Sequence, residues 1–211
     1  MTVDQGRVEA AVAELLAAIG EDPTRAGLQR TPRRVAEAYQ EYFAGVGVDP
    51  AAILRDGIDA AGDGERGDLV LLRGFEFRSM CEHHLLPFRG VAHVGYLPGA
   101  KVVGLGRLGT VVETLAARPQ LQERLTEQIA DALDEGLSPR GVIVVLDAQH
   151  DCVAARASRQ VNSTLVTVAS RGDLTDPAAR SEAIALIGTP HVGTPHVGAP
   201  HVGTPHAGEH P

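Results

Sequence analysis

Residues 69–97 read LVLLRGFEFRSMCEHHLLPFRGVAHVGYL, and this stretch decides the fold. Strand-forming residues at 69–77 and at 91–97 predict two β-strands, with a break or bulge at Gly74. The dipeptide Pro98-Gly99 ends the second strand. Segment 81–86 is therefore predicted to lie in the connection between two strands. A loop that is held by a sheet is a usual location for reactive side chains.

This connection contains metal-binding chemistry. Residues 81–84 offer a thiolate, a carboxylate and two imidazoles, which suit a borderline-soft metal such as zinc. The second of the chain's two cysteines follows a histidine by two residues, in the segment 150–152. Both segments together predict one metal site, catalytic with three protein ligands or structural with four. The candidate ligands are Cys81, Glu82, His83, His84, His150 and Cys152.

Apolar periodicity predicts the remaining elements. Apolar residues three or four apart indicate helices at 8–19, from Thr31 as the N-cap to Gly45, at 107–117, and from Pro119 to Gly136. Further strands are predicted at 142–146 and 165–168, and a closing helix at 177–187. After the N-terminal helices the order is ββααββ, which predicts an α+β fold with an antiparallel sheet and helices on one face. The open sheet edges favour lateral assembly with copies of the same chain.

We divide the chain into an N-terminal helical region at 1–68, a catalytic domain at 69–187 and a tail at 188–211. The tail repeats Gly-Thr-Pro-His-Val with small variations. Its glycine and proline content predicts a disordered extension. The repeated histidines allow two interpretations: a weak store of divalent ions, or an expanded coding repeat without a dedicated role, which is the favoured one. They are His191, His196, His201 and His206.

Composition excludes several classes of protein. The 211 residues carry a formal net charge of −8 and only 3% aromatic residues, which argues against nucleic acid as a partner. No apolar run approaches the ~20 residues that a membrane span needs. The first residues lack the pattern of an export signal. We therefore expect a cytoplasmic protein in which Cys81 and Cys152 stay reduced.

Three segments resemble the signature blocks of the GTP cyclohydrolase I family. They are SMCEHH at 79–84, RPQLQERL at 118–125 and HDCVAAR at 150–156. Shorter matches lie at 31–36 and 104–107, and the resemblance covers roughly residues 8–187. It implies the tunnelling fold, a homodecamer whose sheets join laterally into barrels, and active sites between subunits. It also implies hydrolysis at C8 of the guanine ring of GTP, release of formate, and 7,8-dihydroneopterin triphosphate as the product, on the way to tetrahydrofolate.

The resemblance assigns the metal ligands and the proton carriers. Cys81, His84 and Cys152 would bind zinc. His150 would protonate the imidazole ring of guanine during attack on C8. His83 would assist ring opening and the release of C8 as formate.

The resemblance also assigns the substrate contacts. Glu123 would accept hydrogen bonds from the guanine N–H groups, with Gln122 beside it, because a carboxylate reads a pair of donors well. Glu82 would orient the metal ligands. Arginine forks suit phosphate oxygens, and three of them would hold the triphosphate, one from a neighbouring subunit. These are Arg156, Arg107 and, from the neighbour, Arg34.

Several positions depart from the family's usual pattern. They are Glu37 for lysine, Gly106 for serine, Arg107 for lysine, Thr110 for arginine, Gln160 for aspartate, and Leu165-Val166 in place of a threonine-rich run. The metal, proton-transfer and guanine positions match, whereas ribose and phosphate positions are partly replaced. A second hypothesis follows: the same ring opening on a differently phosphorylated guanine nucleotide, or one that stops before the sugar rearrangement, in 7-deazaguanine or specialised pterin metabolism.

Two other classes remain as alternatives. A zinc-dependent deaminase requires a Pro-Cys-x-x-Cys pair, which the chain lacks. A non-catalytic zinc-binding protein would need only a closed ligand shell. Gln122, Glu123 and Arg156 beside the ligands count against it, because such a protein needs no purine pocket.

Overall fold

A computed structural model of the protein describes residues 3–55, 58–59, 67–155 and 160–188. The helices are α1 (Gln5–Ala18), α2 (Thr31–Tyr42), α3 (Leu105–Ala116), α4 (Gln122–Leu137), α5 (Asp151–Ala154) and α6 (Pro177–Gly188). The strands are β1 (Ile58–Asp59), β2 (Val70–Cys81), β3 (Pro87–Leu97), β4 (Lys101–Val102), β5 (Pro119–Gln120), β6 (Gly141–His150) and β7 (Leu165–Gly172). The predicted tail, apart from its first residue, lies outside the described residues, and the proposed boundary at 68 stays a prediction.

One five-stranded sheet, in the order β5-β2-β3-β6-β7, organises the described chain. Strands β2, β3, β6 and β7 pair antiparallel with their neighbours, and the two-residue β5 adds parallel to β2. The long elements follow the predicted ββααββ order, so the predicted α+β class is confirmed. The predicted bulge is confirmed as well. The β2–β3 register shifts between Leu72 and Phe75, and Gly74 has a positive φ of 68° that favours glycine.

The core lies between the sheet and helices α3 and α4. Inward-facing residues of β6, such as Val144 and Leu146, are fully buried against these helices. Helix α6 packs on the opposite face, where Ala183 meets Ile143 and Val145. The expectation that the helices lie on one face therefore needs a correction. Successive residues of β6 point to opposite faces, and an almost continuous apolar run gives both faces something to bury.

Two helix starts also differ from the predictions. Helix α4 begins at Gln122 instead of Pro119, because Pro119 and Gln120 pair with the end of β2. Thr31 is the first residue of α2 and not its N-cap. Arg30 occupies the N-cap position instead. Turn residues mark a helix end approximately, and the pairing of a neighbouring segment sets the actual boundary.

The N-terminal helices pack on each other and leave apolar side chains exposed. Leu15 and Ile19 of α1 are 59% and 67% exposed. One link to the sheet domain comes from Arg118, whose guanidinium donates to the carbonyls of Gly45 and Val48 at 2.8 and 2.6 Å. Among the described residues, no helix has the length and apolar character to cross a bilayer.

Gly90→Ala is expected to destabilise the fold by about 3 kcal/mol or more, because there is no room for a side chain. A Cβ at Gly90 would lie 2.0 Å from the carbonyl oxygen of Asp147 and 2.7 Å from the Cβ of Ala148, both on the paired strand β6. Gly106→Ala is the matched control, since its Cβ would meet no atom within 4 Å. Alanine within a helix should be neutral or stabilising there. Thermal unfolding at equal protein concentrations compares the two variants, and an unchanged midpoint for Gly90→Ala would contradict the packing argument.

Candidate active site

The loop between β2 and β3 forms a tight turn, as predicted for segment 81–86. Two backbone hydrogen bonds close it: the N–H of Cys81 donates to Leu86, and the N–H of Leu85 donates to Cys81, both at 2.9 Å. Leu85 adopts a left-handed φ of 51°, which costs a non-glycine residue of the order of 1 kcal/mol. The turn places His83 and His84 side by side, with ring centroids 6.3 Å apart and both side chains exposed.

The start of α4 anchors this turn. The N–H of Glu82 donates to the carbonyl of Gln120 at 3.0 Å, and Cys81 pairs with Gln120 in the β2–β5 register. The Arg124 guanidinium forms an ion pair with the Glu82 carboxylate. The expected orienting role of Glu82 thus has a structural partner. Sequence reasoning gave Arg124 no role, although it lies within the quoted segment 118–125.

Cys81, His84 and Cys152 come together from distant parts of the chain. Their ligand atoms all lie within 4.8 Å of one another. Cys81 is buried and Cys152 is half-buried, and both are free cysteines. Two thiolates and one imidazole are a donor set that zinc accepts, and these three residues could hold a metal ion.

A cavity of about 310 Å³ opens beside this cluster. Six of the candidate site residues singled out from the sequence line it, and its apolar walls come from Leu121, Val153 and Leu165. Those six are Cys81, His83, Gln122, Glu123, His150 and Cys152. An enclosure of mixed apolar walls and convergent polar groups is typical of a small-molecule site.

His150 stands at the end of β6, where the chain turns into the short helix α5. Its ring stacks on Phe88 of the neighbouring strand, with centroids 4.6 Å apart and planes 3° apart. Its Nε2 lies 2.8 Å from the side-chain oxygen of Gln122. Burial lowers the pKa of His150, and the negative charges of Glu123 and Asp151 act in the opposite direction. Phe88 is a further residue of this region that the sequence did not single out, and it pairs with His150 in the β3–β6 register.

Glu123 lies in the first turn of α4, with its side chain exposed. The positive end of the helix dipole favours a carboxylate at this position. The side chain borders the cavity and faces the His150 region closely enough to influence its pKa. Glu123 is therefore available to accept hydrogen bonds from a ligand in the cavity.

The expected phosphate-binding arginines do not line this cavity within the described residues. Arg34 lies in a separate groove with Arg30, Arg33 and Glu37. Arg107 donates through Nη1 to the carbonyl of Ile53 at 2.9 Å. Arg156 lies outside the described residues.

The chain is similar to known proteins over most of its length. A family model described as GTP cyclohydrolase I matches residues 8–188. GTP cyclohydrolase 1 of Leifsonia xyli subsp. xyli is 60% identical over 185 residues, 88% of this chain and 96% of that protein. GTP cyclohydrolase 1 of Mycolicibacterium vanbaalenii is 54% identical over 187 residues, 87% of this chain and 91% of that protein. A crystal structure of the apo archaeosine synthase QueF-Like is 18% identical, with a TM-score of 0.39 over 51% of this chain and 97% of that chain, a likeness too low to support any conclusion.

Proposed function

The chain belongs to the GTP cyclohydrolase I family, and from this membership we propose that it is a zinc-dependent hydrolase acting on C8 of the guanine ring of GTP. C8 would leave as formate, and the nucleotide would become 7,8-dihydroneopterin triphosphate. The observation that carries the proposal is the meeting of Cys81, His84 and Cys152 at the cavity that also contains His150 and Glu123.

We assign zinc to the cluster of Cys81, His84 and Cys152. A catalytic zinc site has three protein ligands and an open fourth position, and this cluster offers three. Bound there, zinc would supply a Lewis acid that makes water a better nucleophile at neutral pH. The two cysteines must remain thiols to bind it, which supports a cytoplasmic location for the protein.

The remaining chemistry belongs to the cavity residues. Glu123 would accept from the guanine N–H groups and fix the ring relative to the metal cluster. In its protonated form, His150 would deliver a proton to the imidazole ring of guanine as C8 is attacked, and burial favours the neutral ring that remains after this transfer. His83, exposed on the turn, would move protons during ring opening and formate release. The apolar walls formed by Leu121 and Leu165 would exclude bulk water.

The residues at the positions expected to contact phosphate support a second candidate function. Glu37 pairs with Arg33 at 2.8 Å, so one cation of the Arg34 groove is partly neutralised. The hydroxyl of Thr110 donates to the carbonyl of Gly106 at 2.9 Å and offers no charge. These contacts favour a paralogue that opens the same ring on a nucleotide with fewer phosphates or stops before the sugar rearrangement.

The position of Arg34 apart from the cavity supports a homo-oligomer, expected to be a decamer, in which Arg34 serves a neighbouring site.

Incubating the zinc-loaded protein with GTP, GDP, GMP and guanosine in parallel tests both candidates. Formate and pterin fluorescence are measured separately. Equal amounts of both products, with a strong preference for GTP, would support the first candidate and exclude the second. Formate without pterin, or a preference for fewer phosphates, would support the second. Neither product from any of the four compounds would reject both.

A further inference from the structure

The side chain of Gln122, the first residue of α4, is buried and hydrogen-bonded to other parts of the protein. It is 1% exposed and is one of the few fully buried polar residues among those the structure describes. Its Nε2 lies 2.7 Å from the carbonyl oxygen of Leu165, 3.3 Å from that of Leu146 and 3.1 Å from the hydroxyl of Thr167. Its Oε1 lies 2.8 Å from Nε2 of His150.

These neighbours fix which way the amide points. Carbonyl oxygens only accept hydrogen bonds, so the NH₂ group of Gln122 must face Leu146 and Leu165. The reversed amide would place its oxygen against both of these carbonyl oxygens, with no hydrogen between them. The oxygen therefore faces His150, and an oxygen without a hydrogen can only accept. It follows that Nε2 of His150 carries a proton and donates it to Gln122.

A closed ring of hydrogen bonds holds the Gln122 amide in this orientation. The hydroxyl of Thr126 donates to the main-chain carbonyl of Gln122 at 2.8 Å, which uses its only hydrogen. The hydroxyl of Thr167, 2.6 Å away, must then donate to Thr126 and accept from the Gln122 NH₂. Each of the two hydroxyls donates one hydrogen bond, and the direction of both bonds follows from the main-chain carbonyl of Gln122, which can only accept.

Two contacts orient the imidazole of His150: a stacked ring and a hydrogen bond. The stacking on Phe88 sets the plane of the ring, and the bond to Gln122 sets its rotation within that plane. In a neutral histidine the hydrogen bond of one ring nitrogen decides which nitrogen is protonated. With Nε2 donating to Gln122, Nδ1 has the lone pair.

We propose that Gln122 is a positioning residue that holds His150 in its Nε2–H tautomer, and that Nδ1 of His150 is the atom that exchanges a proton with the substrate. This inference rests on the proposed function, in which His150 moves protons. It replaces the expected contact of Gln122 with guanine, because that contact would require Gln122 to give up hydrogen bonds that it already makes inside the protein. Guanine recognition then rests on Glu123.

The test compares Gln122→Met in two backgrounds, the wild-type chain and a His150→Asn variant. Methionine keeps the length and the apolar packing of glutamine and removes its donors and acceptor. In the wild-type background kcat for formate release from GTP should fall about 100-fold, the size of a typical acid–base contribution, while KM changes by less than about threefold. In the His150→Asn background Gln122→Met should cause no further loss, because the two residues act as one unit.

A guanine contact would give the opposite pattern. KM would rise, and the fall in kcat/KM would be of similar size in both backgrounds. This result would overturn the positioning role. Glu123→Gln is the comparison variant, since a residue that reads guanine should show that pattern. Thermal unfolding and metal content verify that each variant is folded and loaded.

Nitrogen-15 NMR of the histidine-labelled wild-type protein keeps the inference testable if the methionine variant does not fold. The His150→Asn variant identifies the His150 signals by their disappearance. Neutral His150 should show a protonated Nε2 and an unprotonated Nδ1, and the opposite tautomer would overturn the role. Wild-type protein that releases no formate would reject the proposed function and this role with it, whereas an active wild type with the wrong variant pattern would reject only the role of Gln122.

Discussion

His84→Ala is expected to abolish binding of the proposed zinc ion and to lower the rate of formate release by at least ~10³-fold. His84 provides the one imidazole of the three-residue cluster, and its loss leaves Cys81 and Cys152 with too few ligands for a stable site. A Lewis acid contributes several kcal/mol to the transition state, and each ~1.4 kcal/mol changes the rate tenfold. Its exposed side chain makes the substitution mild for the fold.

His83→Ala is the matched control for this prediction. It removes a neighbouring exposed imidazole from the same turn and should leave the zinc bound while slowing the reaction. Zinc per chain is measured by elemental analysis after dialysis and compared with the wild-type value. Any ions bound by the tail histidines contribute equally to both values. If His84→Ala keeps wild-type zinc content and rate, His84 is not a ligand and the proposed metal site fails.

Glu123→Gln is expected to lower kcat/KM for GTP by about 10³-fold. Sites built to hydrogen-bond a substrate discriminate by factors of this order when a partner is changed. The amide would accept from one guanine N–H group and present its own NH₂ to the other, so that two donors face each other. Because Glu123 is exposed in the first turn of α4, the variant should fold normally.

Inosine triphosphate sharpens this second prediction. It lacks the exocyclic amine of guanine, so the wild-type protein should discriminate against it, and Glu123→Gln should lose most of that discrimination. Glu135→Gln, an exposed glutamate near the other end of α4, is the control and should leave kcat/KM within about twofold of wild type. Unchanged discrimination in Glu123→Gln would assign guanine recognition to another residue.

The elements of the fold were largely predictable because their signals are local. Alternating and three-to-four-residue apolar patterns located the strands and helices within a few residues. The predicted start of α4 at Pro119 was wrong for a physical reason. Proline is acceptable in the first turn of a helix and at an edge strand alike, and the choice between them came from the pairing of Gln120 with Cys81.

The candidate site was also predictable from the sequence only in part. The ligand types and their spacing within residues 81–84 and 150–152 predicted a metal site, because coordination chemistry depends on side-chain identity, and three of these residues meet in the structure. The hydrogen-bond partners of Gln122 and Glu82 could not be read from the sequence. Gln122 meets Leu165, 43 residues away, and Glu82 meets Arg124, 42 residues away.

By itself, the sequence determined the order of the elements, the connection that contains the metal-binding residues, and the family to which the chain belongs. Only the tertiary structure decided which groups around the cavity are available to a ligand. Gln122 and Glu123 are adjacent in the chain and both polar, yet the first is buried and fully hydrogen-bonded while the second is exposed. Helical geometry points consecutive side chains in different directions, and the sheet that packs against α4 determines which of them it buries.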